Sequence, residues 1–254
     1  MNIVVPVKLV PDLVEGIAID PSGTALDATW LRLMLNEPDE HAVEQAILLK
    51  ERIGGQVTVI APDVPDVDDV LFTAAAKGAD RLIKLTGSFE RVNNHALARA
   101  FAAVIAGLAP DLILTGVQAH NDLDGALGPL LAGALSMPYV GYVAGVSIVG
   151  NSCTIRKEYP NGLIGEMEVQ LPAVLGIQAA DQPPRYVAIS KVRQAMKTVA
   201  IEEQPVAELD ASGGPAVSRM FQPGSGQQAT MIEGNAQEVA ARLVAIFKEL
   251  GVLG

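Results

Sequence analysis

The groups that could hold a ligand are concentrated in Thr115–Leu131, T-G-V-Q-A-H-N-D-L-D-G-A-L-G-P-L-L. This segment follows an apolar run, Asp111–Gly116, that reads as a strand, and leads into Ala126–Leu135, which reads as a helix. In open α/β sheets, ligands bind at the carboxyl ends of the strands. Gly116, Gly125 and Gly128 permit close backbone approach, and the free amides of Gly125–Gly128 at a helix start could hold a phosphate. Asp122 and Asp124 oppose a phosphate by charge, unless they turn outward or bind ribose hydroxyls. A second polar loop, Asn36-Glu37-Pro38-Asp39, precedes another helix and could touch a base or a ribose; helix capping accounts for the same residues.

Motifs for other chemistry are missing. The chain has no phosphate-loop lysine motif, no H-E-x-x-H and no G-x-S-x-G. His41 and His95 are expected on solvent-facing helix turns, while His120 lies inside the ligand loop. The single Cys153 excludes an internal disulfide and a Cys-rich metal site, and its place in a predicted strand points to a buried, inert thiol. A G-x-G-x-x-A match at Gly224–Ala229 follows Pro223 without a leading strand, so it is not a dinucleotide fingerprint. The residues describe a nucleotide-sized site without acid–base or nucleophilic machinery.

The elements that position these loops follow from hydropathy. Half of the 254 residues are hydrophobic but only 4% are aromatic, so aliphatic side chains must build the core. Ile3–Val10 reads as a strand buried on both faces. Glu40–Ile53 reads as a helix with Asp39 as its N-cap and Gly54-Gly55 as its stop. Strands over Gln56–Ala61 and Arg81–Leu85 alternate with helices over Asp68–Lys77 and Asn94–Leu108. This order predicts an α/β fold with a parallel sheet. After Met137-Pro138, short strands over Val146–Ile148, Cys153–Glu158 and Glu166–Gln170 predict an antiparallel excursion, with a further strand over Pro172–Ile177. Residues 205–230 are rich in Gly, Ser, Pro, Gln and Ala and precede an amphipathic helix, Asn235–Leu250. The expected organisation is an α/β domain over 1–190 and an extended arm over 191–254, which reaches a partner subunit or packs loosely on its own domain.

The net charge of −11 argues against nucleic acid as a partner. Met1–Lys8 reads as a strand rather than an export signal, and the uncharged stretch Gly125–Gly150 is broken by Gly and Pro. A cytoplasmic chain that does not insert into a membrane is expected.

Several collinear motifs resemble the β subunit of electron transfer flavoproteins over about residues 1–200. They are Val5-Pro6-Val7-Lys8, Leu35–Ala46 with its A-V-E-x-A helix, Lys77-Gly78-Ala79-Asp80-Arg81, and Gly116-Val117-Gln118-Ala119 with Gly128. The signature region corresponds to Ile155–Glu158 through Leu171–Val174, followed by Pro184-Arg185-Tyr186. The chain departs from the family at Pro160-Asn161-Gly162, at Gly125–Gly128, at Ala61–Asp66, and in the thinned lysine stretch Ala195–Thr198.

The resemblance implies an adenine nucleotide alpha hydrolase-like fold with AMP in this subunit. It also implies an FAD shared with an α-like subunit in a heterodimer, and electrons received from flavin dehydrogenases. Carried over by alignment, the nucleotide contacts fall at Pro6, at Asn36, Glu37, Pro38 and Asp39, and at Pro62. They continue through the loop Gln118, Ala119, His120, Asn121, Asp122, Leu123, Asp124, Gly125, Ala126, Leu127, Gly128 and Pro129. Leu13 would lie near the flavin, and Ile189 corresponds to the apolar anchor that engages dehydrogenases. The alternative is a nucleotide-binding regulatory relative that has lost electron transfer.

Overall fold

A computed structural model describes the chain apart from residues 15, 90–91, 124–126, 151, 208, 225–228 and 253–254. It resolves into two compact units, Met1–Ser218 and Arg219–Gly254. In the first unit, β1 (Asn2–Pro6) leads through the short strands β2 (Leu9–Pro11) and β3 (Leu33–Leu35) to α1 (Glu37–Ile53). Then come β4 (Gln56–Pro62), α2 (Val67–Lys77), β5 (Arg81–Thr86), α3 (Asn94–Ile105), β6 (Leu112–Gly116) and α4 (Leu127–Leu135). The chain continues through β7 (Tyr139–Val149), β8 (Ser152–Tyr159), β9 (Leu163–Gln170), β10 (Ala173–Ile177), α5 (Ile189–Thr198) and β11 (Ile201–Pro205). In the second unit, α6 (Ala236–Glu249) is closed at its start by a capping box between Asn235 and Glu238.

The main sheet has the order β11-β5-β4-β1-β6-β10-β7-β8-β9. Strands β11 through β7 in that order are parallel, and β8 and β9 extend the sheet as antiparallel hairpins. The expected α/β class and antiparallel excursion are therefore present. Strand β9 runs longer than the apolar pattern predicts because most of it is exposed, and β7 runs longer because it begins at the half-buried Tyr139 and Val140, paired with β10.

Alternate residues of the central strands feed two cores. Ile3, Val5, Leu112 and Leu114 pack with Val43, Ile47 and Leu71 of α1 and α2. Val4, Ile60, Ile83 and Ile113 pack with Leu97, Phe101 and Leu131 of α3 and α4. Each fully buried large aliphatic or aromatic side chain contributes about 1.5–3 kcal/mol, so these two layers hold the sheet rigid beneath its loops. From β1 the chain moves outward to β4 and β5, then returns to β6 on the other side of β1. The loops leaving β1 and β6 therefore diverge, which opens a crevice at their carboxyl ends.

Three expectations need correction. The predicted strand Ile3–Val10 divides after Pro6: the Val7 amide still reaches Ile60 O at 2.8 Å, but the Lys8 amide turns to the Asp39 carboxylate at 2.9 Å. Asp39 is not the N-cap of α1. The helix starts at Glu37 with Asn36 at the cap, so Asp39 is a buried residue of the first turn. The boundary at 190/191 lies inside the first unit, since β11 pairs in parallel with β5, Ile201 opposite Leu82. Among the described residues, 206–235 carry no helix or strand, in keeping with their composition.

Candidate functional site

Pro6, Pro62 and Gly116 end β1, β4 and β6, so all three lie on one edge of the sheet. Asp39 ties that edge to α1. Its two carboxylate oxygens accept separately from the Lys8 amide at 2.9 Å and the Gly116 amide at 2.8 Å. Burial pushes the Asp39 carboxyl up to about 6, against the lowering effect of those two amides. A β-carbon on Gly116 would run into the Asp39 carboxylate and stand 2.8 Å from its amide nitrogen. Glycine at 116 is thus required by the protein's own helix, whatever ligand approaches.

Asp122 turns inward. Its Oδ1 meets Lys8 Nζ at 2.5 Å and accepts from Asn94 Nδ2 at 2.7 Å. Its Oδ2 accepts from the Ala119 amide at 2.7 Å. The Lys8 and Asp122 side chains are only 11% and 10% exposed, so the pair is largely desolvated. The charge objection to an anionic ligand is thereby removed at Asp122, whose charge is neutralised internally. Asn36 Nδ2 donates to Gln118 O at 3.1 Å and fastens the start of the same loop to the cap of α1. Gln118, His120, Asn121 and Leu123 remain exposed, while Ala119 is buried.

Leu127 and Gly128 are buried in the first turn of α4, and Pro129 is exposed. A β-carbon on Gly128 would lie 2.7 Å from Thr115 Oγ1 and 2.7 Å from the Tyr139 ring. Gly128 is therefore a packing glycine, which lets the start of α4 sit directly against Thr115 and Tyr139. Thr115 Oγ1 is buried and finds no hydrogen-bond partner among the described residues. Asp124, Gly125 and Ala126 lie outside the described residues.

The edge therefore gathers Pro6, Asn36, Asp39, Pro62 and residues 118–122, with Glu37 and Pro38 in the same first turn of α1. Leu13 and Ile189 are exposed, at 60% and 66%, and sit on other segments. Lys8 and Asn94 were not among the expected site residues, and Thr115 entered only as the first residue of the ligand segment. Lys8 was detectable in principle, because a lysine within a run buried on both faces must find an acid. Nothing local to Asn94 or Thr115 announces a role. His41 is not on an open turn: its Nδ1 accepts from the Ala180 amide at 3.2 Å. Cys153 is buried, and burial pushes its thiol up to about 11, as expected of an inert cysteine. No group of three His, Cys, Asp or Glu side chains able to hold a metal occurs among the described residues, and no helix is long and apolar enough to cross a membrane.

A family model described as "Electron transfer flavoprotein domain" matches residues 30–209. The electron transfer flavoprotein subunit beta of Methylophilus methylotrophus is 34% identical over 262 aligned positions, covering 98% of each chain. That of Clostridium acetobutylicum is 32% identical over 257 positions, again covering 98% of each. The acryloyl-CoA reductase electron transfer subunit gamma of Anaerotignum propionicum is 29% identical over 260 positions, covering 96% of this chain and 97% of the relative. The matched stretch runs from before α1 through β11, most of the chain, and the named β subunits align over 98% of both chains, so the chain belongs to the electron transfer flavoprotein family.

Proposed function

We propose that this chain is the β subunit of an electron carrier, working in the cytoplasm as a heterodimer with an α-like subunit. It completes an FAD site shared with that subunit and holds AMP at the crevice beyond β1, β4 and β6. The end-to-end similarity to named β subunits is the observation that carries the reading. The geometry supports it: the residues aligned with nucleotide contacts converge on one sheet edge, at a topological switch point.

In this reading Asn36, Asp39 and Lys8 shape the pocket without touching the reacting centre. The loop 118–123 offers backbone amides to a phosphate at its exposed residues His120, Asn121 and Leu123. The flavin, when bound, supplies the redox chemistry. Leu13, with Val14, Ile17 and Trp30, presents apolar surface on the 12–32 segment, which suits the flavin and partner side. Leu163 and Met167, on one face of β9, form a second exposed apolar strip for the α-like subunit, and the arm with α6 contacts the same partner. Ile189 engages the flavin dehydrogenases that donate electrons.

The experiment mixes the purified heterodimer with a reduced flavin dehydrogenase and follows visible absorbance. Saturable bleaching of the heterodimer's flavin is the expected result. A heterodimer that carries flavin yet accepts electrons from no dehydrogenase would favour the regulatory alternative.

A further inference from the structure

Between β10 and α5 the chain runs from Gln178 to Ala188 without helix or strand, yet it is held closely to α1. The Ala180 amide donates to His41 Nδ1 at 3.2 Å, and the Asp181 amide to Gln45 Oε1 at 2.8 Å. Asp181 in turn pairs with Arg52 at 2.7 Å and with Arg156 of β8 at 3.1 Å. The last and densest tie is Arg185. Its backbone amide and Nε both reach Glu44, at 3.0 and 2.8 Å. Its Nη1 and Nη2 reach the two oxygens of Glu51 at 2.6 and 3.1 Å.

Glu44 is 2% exposed, so it has little water to replace a lost partner. Glu44 and Glu51 are seven residues apart, two turns along one face of α1. One planar guanidinium spans both, which an ammonium cannot do in the same geometry. Immediately beyond this grip the surface changes character. Tyr186 is 90% exposed, Ile189 opens α5, and the only buried residue of α5 is Ala195.

We propose that Arg185 is the positioning residue of the dehydrogenase-docking segment, locking it to α1 so that Tyr186 and Ile189 are presented in one fixed arrangement. The proposal rests on the docking reading of Ile189 given above. It assigns to Arg185 no contact with flavin or nucleotide. Because α1 also carries Asn36 and Asp39, one rigid helix sets both the nucleotide edge and the docking segment.

The test uses the heterodimer in four forms besides wild type: R185Q, R185K, the double variant E44Q/R185Q and I189A. The double variant keeps the test valid if R185Q alone fails to fold, since it leaves no unpaired buried carboxylate. Hydrogen exchange of the 180–190 amides in E44Q/R185Q is expected to rise about tenfold or more, with β1 and α1 unchanged. With a flavin dehydrogenase that reduces the wild-type heterodimer saturably, KM is expected to rise about tenfold while kcat and flavin content hold, and R185K is expected to fall between. Unchanged exchange, or unchanged KM in E44Q/R185Q while I189A raises KM, overturns the positioning role. An unchanged KM in I189A overturns the docking reading itself, and the proposal with it.

Discussion

Replacing Asp122 with Asn tests whether the Lys8 pair organises the site. The carboxylate has three partners, Lys8, Asn94 and the Ala119 amide. Asparagine keeps one acceptor oxygen and loses the charge. Lys8 Nζ then faces neutral acceptors in place of a carboxylate: that amide oxygen and Asn94 Oδ1, at 3.3 Å. Removing one partner of a buried pair costs about 3–5 kcal/mol. Asn94 stays in place and the pair keeps a tenth of its exposure, so the lower end applies, about 3 kcal/mol or roughly 150-fold in the unfolding constant. Urea unfolding at neutral pH, followed by far-ultraviolet circular dichroism, measures it. The double variant K8M/D122N removes both charges, and its loss should fall short of the sum of the single losses by about 2 kcal/mol or more. A loss below about 1 kcal/mol for D122N, with no coupling to Lys8, is the behaviour of an exposed pair and would refute the reasoning.

Asp39 makes stability depend on pH. Its carboxyl is raised from the ordinary value of 3.8 to about 6 on folding. Its contribution is therefore fully present below the unfolded value and is lost as pH rises through about 6. Relative to D39N, the wild-type chain should lose about 2 kcal/mol between pH 4 and pH 7, and a pH-independent difference between the two would contradict the burial argument. Thr115→Val removes an unpaired buried hydroxyl at nearly constant shape, so the thermal midpoint should rise, by the equivalent of about 1 kcal/mol. A lower midpoint would mean that the hydroxyl has a partner.

The sheet was legible wherever burial wrote a pattern. The runs around Ile3–Val7, Val57–Ala61 and Leu112–Leu114 are apolar because both faces of those strands are covered by helices. Strand β11 carries no such pattern. Ile201-Glu202-Glu203-Gln204-Pro205 lies at the sheet edge, held by ladder bonds, by the Arg81–Glu202 pair at 2.8 Å and by Ile201, its one side chain packed on the core. Helix α5 was missed for a related reason, since Ala195 is its only buried residue. The site was legible as two loops, because Asn36–Asp39 and Gln118–Asp122 each sit where a strand meets a helix. Their connection was not legible. Asp39 looks like a cap from its neighbours, and only the approach of Lys8 and Gly116 in space makes it a staple between strands. Likewise Asp122 read as a charge against phosphate until Lys8, far away in sequence, neutralised it.

The central claim is that this chain completes a flavin site and holds an adenine nucleotide within a heterodimer. The most direct measurement is to purify it together with its α-like subunit, record the visible spectrum, and identify the nucleotides released on denaturation. One FAD and one AMP per heterodimer is the predicted result. A heterodimer with no flavin absorbance, even after FAD is added, and with no released nucleotide would contradict it.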